Sequence, residues 1–400
     1  MPIQNYDVIL CGAGPANISL LPELIRNEQA GRCLILEKNH VVGAGEIGQY
    51  RITANSLGGV FLEKFQDQED RLSRFLKDTP QWRYLHENQD RAVELSQVGA
   101  FLEQIAAFVM ADKALRQRFV FSTDSCVQAI RQLPEGGYLV SYSLDGVLMQ
   151  AQCRKVICNL GGQPQQRGPR HASCNINSDE FIKGLHDRQF RTSAPDSVAI
   201  LGSSHSAVSC LIRLVEQLDY RGPITLLAKR DFKLFFDCAE NARAQGYHFT
   251  DADVCNASGR INRYSGLRYD SFEFARKVQR GQIDNLQVVD ISTRSPEQVD
   301  ALINSSAVLL NSTGYSARAV ELLDADSRPI QLQQDAHGLL TNARLNPMAV
   351  DGRALEDFHT FGLGSGIKTG GDSGGEESFS GRIDGVWVYQ HVVPGLIFGK

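Results

Sequence analysis

The sequence predicts an α/β protein built from two Rossmann-like dinucleotide-binding domains, the second inserted into the first. Two observations carry that reading. A strand–Gly turn–helix–strand unit occurs twice, and each copy is answered far downstream by an apolar strand that ends in Gly. The length of 400 residues leaves room for two or three domains at roughly 150 residues each. Hydrophobic residues make up 42% and charged residues 22%, the balance of a chain that buries a large core. A net charge of -5 argues against a nucleic-acid-binding face.

The first unit opens with Asp7-Val8-Ile9-Leu10-Cys11, a run suited to a buried parallel strand. Gly12-Ala13-Gly14-Pro15-Ala16-Asn17 follows, then Ile18, Leu21 and Ile25 at helical spacing. Gly12 permits a tight turn, and Gly14 lets a pyrophosphate approach the backbone at the positive end of the helix. The next strand, Cys33 to Leu36, ends in Glu37 and Lys38, and the Glu37 carboxylate suits a ribose diol. Pro22 falls inside the predicted helix, so a kink or a short first helix is expected there.

The second unit repeats the plan. Ser197 to Leu201 leads into Gly202-Ser203-Ser204-His205-Ser206-Ala207, followed by a helix with Val208, Leu211, Ile212 and Val215 on one face. The next strand, Ile224 to Ala228, ends in Lys229 and Arg230. Two cations where the first unit has an acid suit a 2′-phosphate, which predicts NADPH over NADH. Two such units with opposite charges at the ribose end point to FAD in the first and NADPH in the second. His205, in the turn, is read as a nucleotide contact.

The return strands are Val156 to Pro164 and Ala307 to Tyr315, the latter ending Thr313-Gly314-Tyr315. They place an FAD-binding domain at residues 1–192 and 316–400 and an NADPH-binding domain at 193–315, with the polar stretch Asp187 to Asp196 as a hinge. A strand begins almost at the first residue, which leaves no signal peptide, and the cysteine count of nine, odd and unpatterned, predicts a reduced, cytoplasmic protein. The apolar stretch Val386 to Phe398 is too short to span a bilayer and is expected to be buried in the fold or in a dimer contact, which leaves a homo-oligomer open.

At Gly12-Ala13-Gly14-Pro15-Ala16-Asn17-Ile18-Ser19-Leu20 the chain resembles the flavin-dependent N-hydroxylating monooxygenases, the lysine and ornithine N-hydroxylases. The Gly202–Ala207 turn and Thr313-Gly314-Tyr315 are similar to their NADPH motif and A-T-G-Y stretch, although Asn311-Ser312 departs from the usual Ala before Thr. The resemblance implies FAD at Gly12, Gly14, Asn17 and Glu37, and NADPH at Gly202, Ser204, Ser206 and Arg230. It implies a small-molecule substrate and O2, and a C4a-(hydro)peroxyflavin that inserts one oxygen atom. N-hydroxylation in specialised metabolism is the first expectation. Baeyer–Villiger-type oxygenation of a carbonyl or imine, and a non-oxygenating flavin reductase or nucleotide sensor, are the alternatives; the linker pattern of the Baeyer–Villiger relatives is absent.

Two segments are expected to meet the flavin. Gly45 to Ser56 is polar and Gly-punctuated, with Gln49, Arg51 and Asn55 as candidates to hydrogen-bond the ring or the reacting oxygen. Gly362 to Phe379 is Gly-rich and contains Asp372. The segment Lys233 to Arg268, rich in Phe, Tyr, Asn and Arg, is a candidate lining of the substrate cavity; Asn262, Arg263 and Tyr264 are its polar candidates, although a core or surface role is the first expectation for any one of them. Cys153 and Cys158 have the spacing of a redox pair, but on one strand they point to opposite faces. No His/Cys cluster predicts a metal, and no G-x-S-x-G elbow predicts a hydrolase.

Overall fold

A computed structural model describes residues 3–27, 31–165 and 174–399. The chain is mixed α/β, with two main sheets. The first is eight-stranded: seven strands run in the order Glu321–Leu323, Ser125–Gln132, Tyr138–Leu144, Val147–Cys158, Gln4–Cys11, Cys33–Leu36, Phe119–Ser122, and the eighth, Phe358–His359, pairs with Val147–Cys158 off that path. Gln4–Cys11 is central and pairs in parallel with Cys33–Leu36 and with Val147–Cys158. Its last four residues, Val8 to Cys11, are all 3% exposed or less, as a strand covered on both faces requires. The antiparallel hairpins 125–158 extend one side of the sheet.

The second sheet has five strands, all parallel, in the order Asn175–Asn177, Val308–Asn311, Val198–Leu201, Ile224–Ala228, Leu286–Asp290. It therefore begins at Asn175, upstream of the boundary at 193 expected from the sequence. The expected hinge is not a loop either. Asp187–Thr192 forms a short helix, because Phe190 packs into the core beneath it and meets Phe181 and Tyr220 edge-on. The chain passes between the sheets at Gly162–Pro164 and Tyr315–Ala317, which pair antiparallel with each other.

The helix after the first turn is broken as Pro22 predicts. One segment runs Pro15–Ile18 and the next Leu21–Arg26, with Pro22 in its first turn, where the missing N–H costs nothing. After the second turn a helix spans His205–Ile212 and continues as a π turn over Arg213–Gln217. The C-terminal apolar stretch folds as Val386–His391 and Val393–Phe398, with Tyr389, Val393 and Ile397 packed into the core of the first sheet. No helix among the described residues is long and apolar enough to cross a membrane.

Candidate active site

The two Gly turns have the same construction. Gly12 sits at φ +88°, and a Cβ there would lie 2.2 Å from the carbonyl oxygen of Asn159, at the end of the return strand. Gly202 sits at φ +128°, and its Cβ would lie 2.8 Å from the carbonyl oxygen of Ser312, at the end of the other return strand. Each turn is pressed against its neighbour so closely that only Gly fits. Neither following helix is capped by a side chain, so the amide N–H groups of Gly14 and Ala16, and of Ser204 to Ser206, are not spent on a cap. Both turns therefore fit a dinucleotide pyrophosphate.

At the first turn Asn17 is 1% exposed and works inward. Its Nδ2 donates to the carbonyls of Gly12 (2.7 Å) and Cys11 (3.1 Å), and its Oδ1 accepts from Asn159 Nδ2 at 2.7 Å. Asn159 in turn accepts from Phe361 N at 2.9 Å, which ties the C-terminal segment to the turn. Glu37 accepts from Ala13 N at 2.7 Å and from Asn39 N at 3.0 Å, one bond to each carboxylate oxygen. Each oxygen keeps a second acceptor site, so the carboxylate can still receive a diol. Lys38 reaches Glu46 at 3.7 Å.

At the second turn the His205 Nε2 is buried with no partner among the described residues. Burial, and then the charge of Arg268, push its pKa down to about 4, so the ring is neutral at pH 7. Lys229 and Arg230 are exposed at their strand end and join no ion pair among the described residues. Thr313 Oγ1 lies 2.7 Å from Asn311 Oδ1 and 3.0 Å from Gln165 O, two acceptors for its one proton, and Gly314 turns at φ +97° in open space.

Both segments expected at the flavin reach the first turn. A Cβ on Gly14 would have Gly45 Cα as its neighbour at 3.8 Å, and a Cβ on Gly362 would meet Ala16 Cβ at the same distance. Within the first segment Gln49 and Asn55 are exposed. Arg51 differs from expectation. Its Nη1 donates to Asp187 Oδ2 at 2.7 Å, and Asp187 Oδ1 accepts from Arg213 Nη2 at 2.5 Å. Arg213 is 1% exposed and holds Gln217 as well. Arg51 is thus one side of a clamp between the 45–56 segment and the second sheet, built because the buried Arg213 charge needs a carboxylate.

A second network lies beside it. Lys183 donates to Glu46 at 2.6 Å and to Asp179 at 2.7 Å, and Tyr50 donates to Asp179 at 2.6 Å. Tyr315 reaches the same Asp179 oxygen at 3.5 Å. Burial, reinforced by the Asp179 charge, pushes both phenols well up, so they stay protonated donors. Nothing in the sequence marks Asp179, Lys183, Asp187 or Arg213, because each is paired across the fold.

The Gly-rich segment meets the segment expected to line the substrate cavity. Asn256 N donates to Gly375 O at 3.2 Å and Asn256 Oδ1 accepts from Gly375 N at 3.1 Å. Tyr264 OH donates to Ser373 O at 2.8 Å, and Lys233 pairs with Asp253 at 2.9 Å beneath Ser378. Asn262 is fully buried and structural, donating to Leu234 O and to the Tyr247 hydroxyl, both at 3.0 Å. Asp372 lies in the turn Gly371–Ser373; its side chain is outside the described residues. Cys153 and Cys158 share the strand Val147–Cys158 as expected, but Cys158 stands in register with Cys11 on the neighbouring strand. The Cys158 hydrogen bond, and then burial, push the Cys11 thiol well up, which keeps it inert. No group of three or more metal-ligating side chains occurs among the described residues.

A mixed α/β fold with two glycine-turn cradles is shared with solved N-hydroxylating monooxygenases. The fold is that of an ornithine N-hydroxylase from Kutzneria sp. 744, solved with reduced FAD, NADP+ and L-ornithine: TM-score 0.64, 17% identity, covering 100% of this chain and 98% of that one. A cadaverine monooxygenase of desferrioxamine biosynthesis from Erwinia amylovora, bound to FAD, gives TM-score 0.64 at 15% identity, covering 100% and 95%. L-lysine 6-monooxygenase from Pseudomonas syringae gives TM-score 0.59 at 14% identity, covering 98% of each chain. No family model matches the sequence. The CMP-5′-(3-aminopropyl)phosphonate hydroxylase of Streptomyces rubellomurinus is 30% identical over an alignment of 428 residues, which takes in 99% of this chain and 97% of that protein. The chain belongs to that hydroxylase's family.

Proposed function

We propose that this enzyme N-hydroxylates the terminal amine of an aminoalkyl phosphonate, carried as a nucleotide ester. The reading extends to this chain the substrate named for the Streptomyces relative. The observation that carries it is the approach of Gly45 and Gly362 to the first cradle, with the same Gly-rich segment bonded through Ser373 and Gly375 to residues 256 and 264.

In this reading residues 3–164 and 316–399 form the FAD domain and residues 174–315 the NADPH domain, both Rossmann-like. Gly12, Gly14, Pro15 and Ala16 cradle the FAD pyrophosphate, Asn17 holds the turn, and Glu37 takes the ribose diol with Lys38 beside it. Gly202, Ser203, Ser204, His205 and Ser206 cradle the NADPH pyrophosphate, Lys229 and Arg230 take the 2′-phosphate, and Thr313, Gly314 and Tyr315 close the domain crossing. Gln49 and Asn55 face the ring edge from one side and the Asp372 turn from the other. The chemistry supplied by bound FAD and NADPH is hydride transfer and activation of O2. The chain's own share is positional. A neutral His205 donates no charge to the pyrophosphate cradle, so the helix amides do the binding. The Arg51–Asp187–Arg213 clamp ties the 45–56 segment to the second sheet. No disulfide joins the cysteines among the described residues, which suits a cytoplasmic enzyme.

The test is product mass. Purified enzyme with FAD, NADPH, O2 and CMP-5′-(3-aminopropyl)phosphonate should give a product heavier by one oxygen, located on nitrogen. NADPH consumption that yields only hydrogen peroxide, or oxygen found on carbon, overturns the reading.

A further inference from the structure

Lys233, Arg260, Arg263 and Arg268 lie on the segment that meets the Gly-rich stretch, and the first two are satisfied. Lys233 is paired with Asp253, and Arg260 with Asp237 at 3.7 Å. Arg263 and Arg268 are half-buried and join no ion pair among the described residues. Their flat faces lie on aromatic rings instead: Arg263 over Tyr264 at 4.8 Å, Arg268 over Phe235 at 3.5 Å. A half-buried guanidinium without a carboxylate is costly unless something anionic arrives.

The turn that carries them is fixed. Asn262, at φ +47°, is locked by its bonds to Leu234 and Tyr247. Gly266 is so close to the strand below that a Cβ would lie 2.6 Å from Phe235 N. Arg268 Nη2 donates to Arg263 O at 2.7 Å, which braces one arginine against the other. The buried carboxylate at this turn, Glu376, forms no ion pair with either arginine among the described residues, and its Oε2 has no hydrogen-bond partner there. Glu376, 1% exposed, accepts from Tyr264 N (2.9 Å), Ser265 N (2.8 Å) and Ser265 Oγ (2.9 Å) through one oxygen. Arg263 is anchored by Nη1 alone, to Ser373 O at 3.2 Å and Cys255 Sγ at 3.5 Å. Its Nε and Nη2 make no hydrogen bond among the described residues, which leaves one edge of the planar fork for a tetrahedral oxyanion.

We propose that Arg263 is a specificity-determining residue that binds the phosphonate or phosphodiester anion of the substrate, with Arg268 as the positioning residue behind it. The inference rests on the substrate class proposed above and assigns the residue that reads it. Arg263 is tied to Ser373 on the same Gly-rich segment whose Gly362 meets the first cradle. The dinucleotide's own 2′-phosphate has separate cations in Lys229 and Arg230.

Isothermal titration of the oxidised FAD enzyme tests this without turnover. The probes are 3-aminopropylphosphonate and butylamine, the same amine with and without the anion. Wild type should bind the phosphonate at least about tenfold more tightly. Arg263→Gln should weaken phosphonate binding on the order of ten- to hundredfold, the loss expected for a charge-assisted pair, and move butylamine far less. Arg263→Lys should recover part of the loss, since a point charge replaces the fork. NADPH affinity should stay at the wild-type value. Equal binding of the two probes by wild type, unchanged phosphonate binding in Arg263→Gln, or a matching loss of NADPH affinity overturns the proposal. Should Arg263→Gln fail to retain flavin, the wild-type probe ratio and Arg263→Lys still decide it. Failure of the functional reading would show instead in the product, with phosphonate binding intact and no oxygen transferred to nitrogen.

Discussion

Replacing Gly12 by Ala measures what the first cradle depends on. At φ +88° an L side chain costs about 1–2 kcal/mol. The new Cβ would stand 2.2 Å from Asn159 O, well inside an ordinary C···O approach of about 3.3 Å. Both groups are backbone at adjacent strand ends, so relief means moving the strands, and overpacking of this kind adds about 1–3 kcal/mol. Gly161→Ala is the matched control. That residue has φ +81° with nothing within 4 Å, so it bears the conformational cost alone, partly offset by about 0.4–1 kcal/mol of reduced unfolded-state entropy. The difference between the variants, about 1–3 kcal/mol, isolates the steric contact. Urea unfolding of the apoprotein reads the stability, and the flavin-to-protein absorbance ratio reads the cradle. Gly12→Ala should unfold at lower urea and lose most of its FAD; Gly161→Ala should keep its colour. Equal midpoints with full flavin in both would refute the argument, because the contact with Asn159 would then not exist in solution.

The charge logic of the second cradle predicts coenzyme choice. Replacing Lys229 and Arg230 together by Ser should raise the KM for NADPH about tenfold or more while leaving NADH little changed, since charge-assisted bonds contribute about 1.5–3 kcal/mol when shielded and less at these exposed positions; steady-state kinetics with both coenzymes checks it, and a parallel rise for NADH would count against the assignment. A pH effect follows from two histidines held down to about 4 from 6.5: burial and then Arg268 act on His205, while at His359 burial outweighs the opposing bond to Arg344 O. Between pH 6.5 and about 4 the unfolded chain takes up protons that the folded one refuses, so stability should fall as pH falls through that window and level off below it. Denaturation midpoints across the range should show the slope, and His205→Asn should flatten it by up to one proton; an identical slope in that variant would show that His205 is charged in the native state.

What the sequence made legible is local. A turn that must be Gly, a strand that must be apolar and an acid or a cation at a strand end all declare themselves within one βαβ unit, and Pro22 declares the helix break beside it. The Gly45 and Gly362 segments were legible for a related reason: a backbone that must pass close to another surface sheds its side chains. What stayed hidden is long-range. Arg51 looks like an active-site cation, and only its pairing with Asp187, 136 positions away, shows it to be a clamp. Arg213 sits among Leu211, Leu214 and Val215 with no periodicity to set it apart, and the stretch 187–196 reads as polar although Phe190 anchors it as a helix. The same contrast bears on the substrate. The cofactor cradles are read from backbone requirements, which few residues can meet. The chemistry at the substrate end rests on side chains such as Arg263, whose meaning lies in the absence of an ion-pair partner among the described residues, and that is settled by which segments the fold brings together.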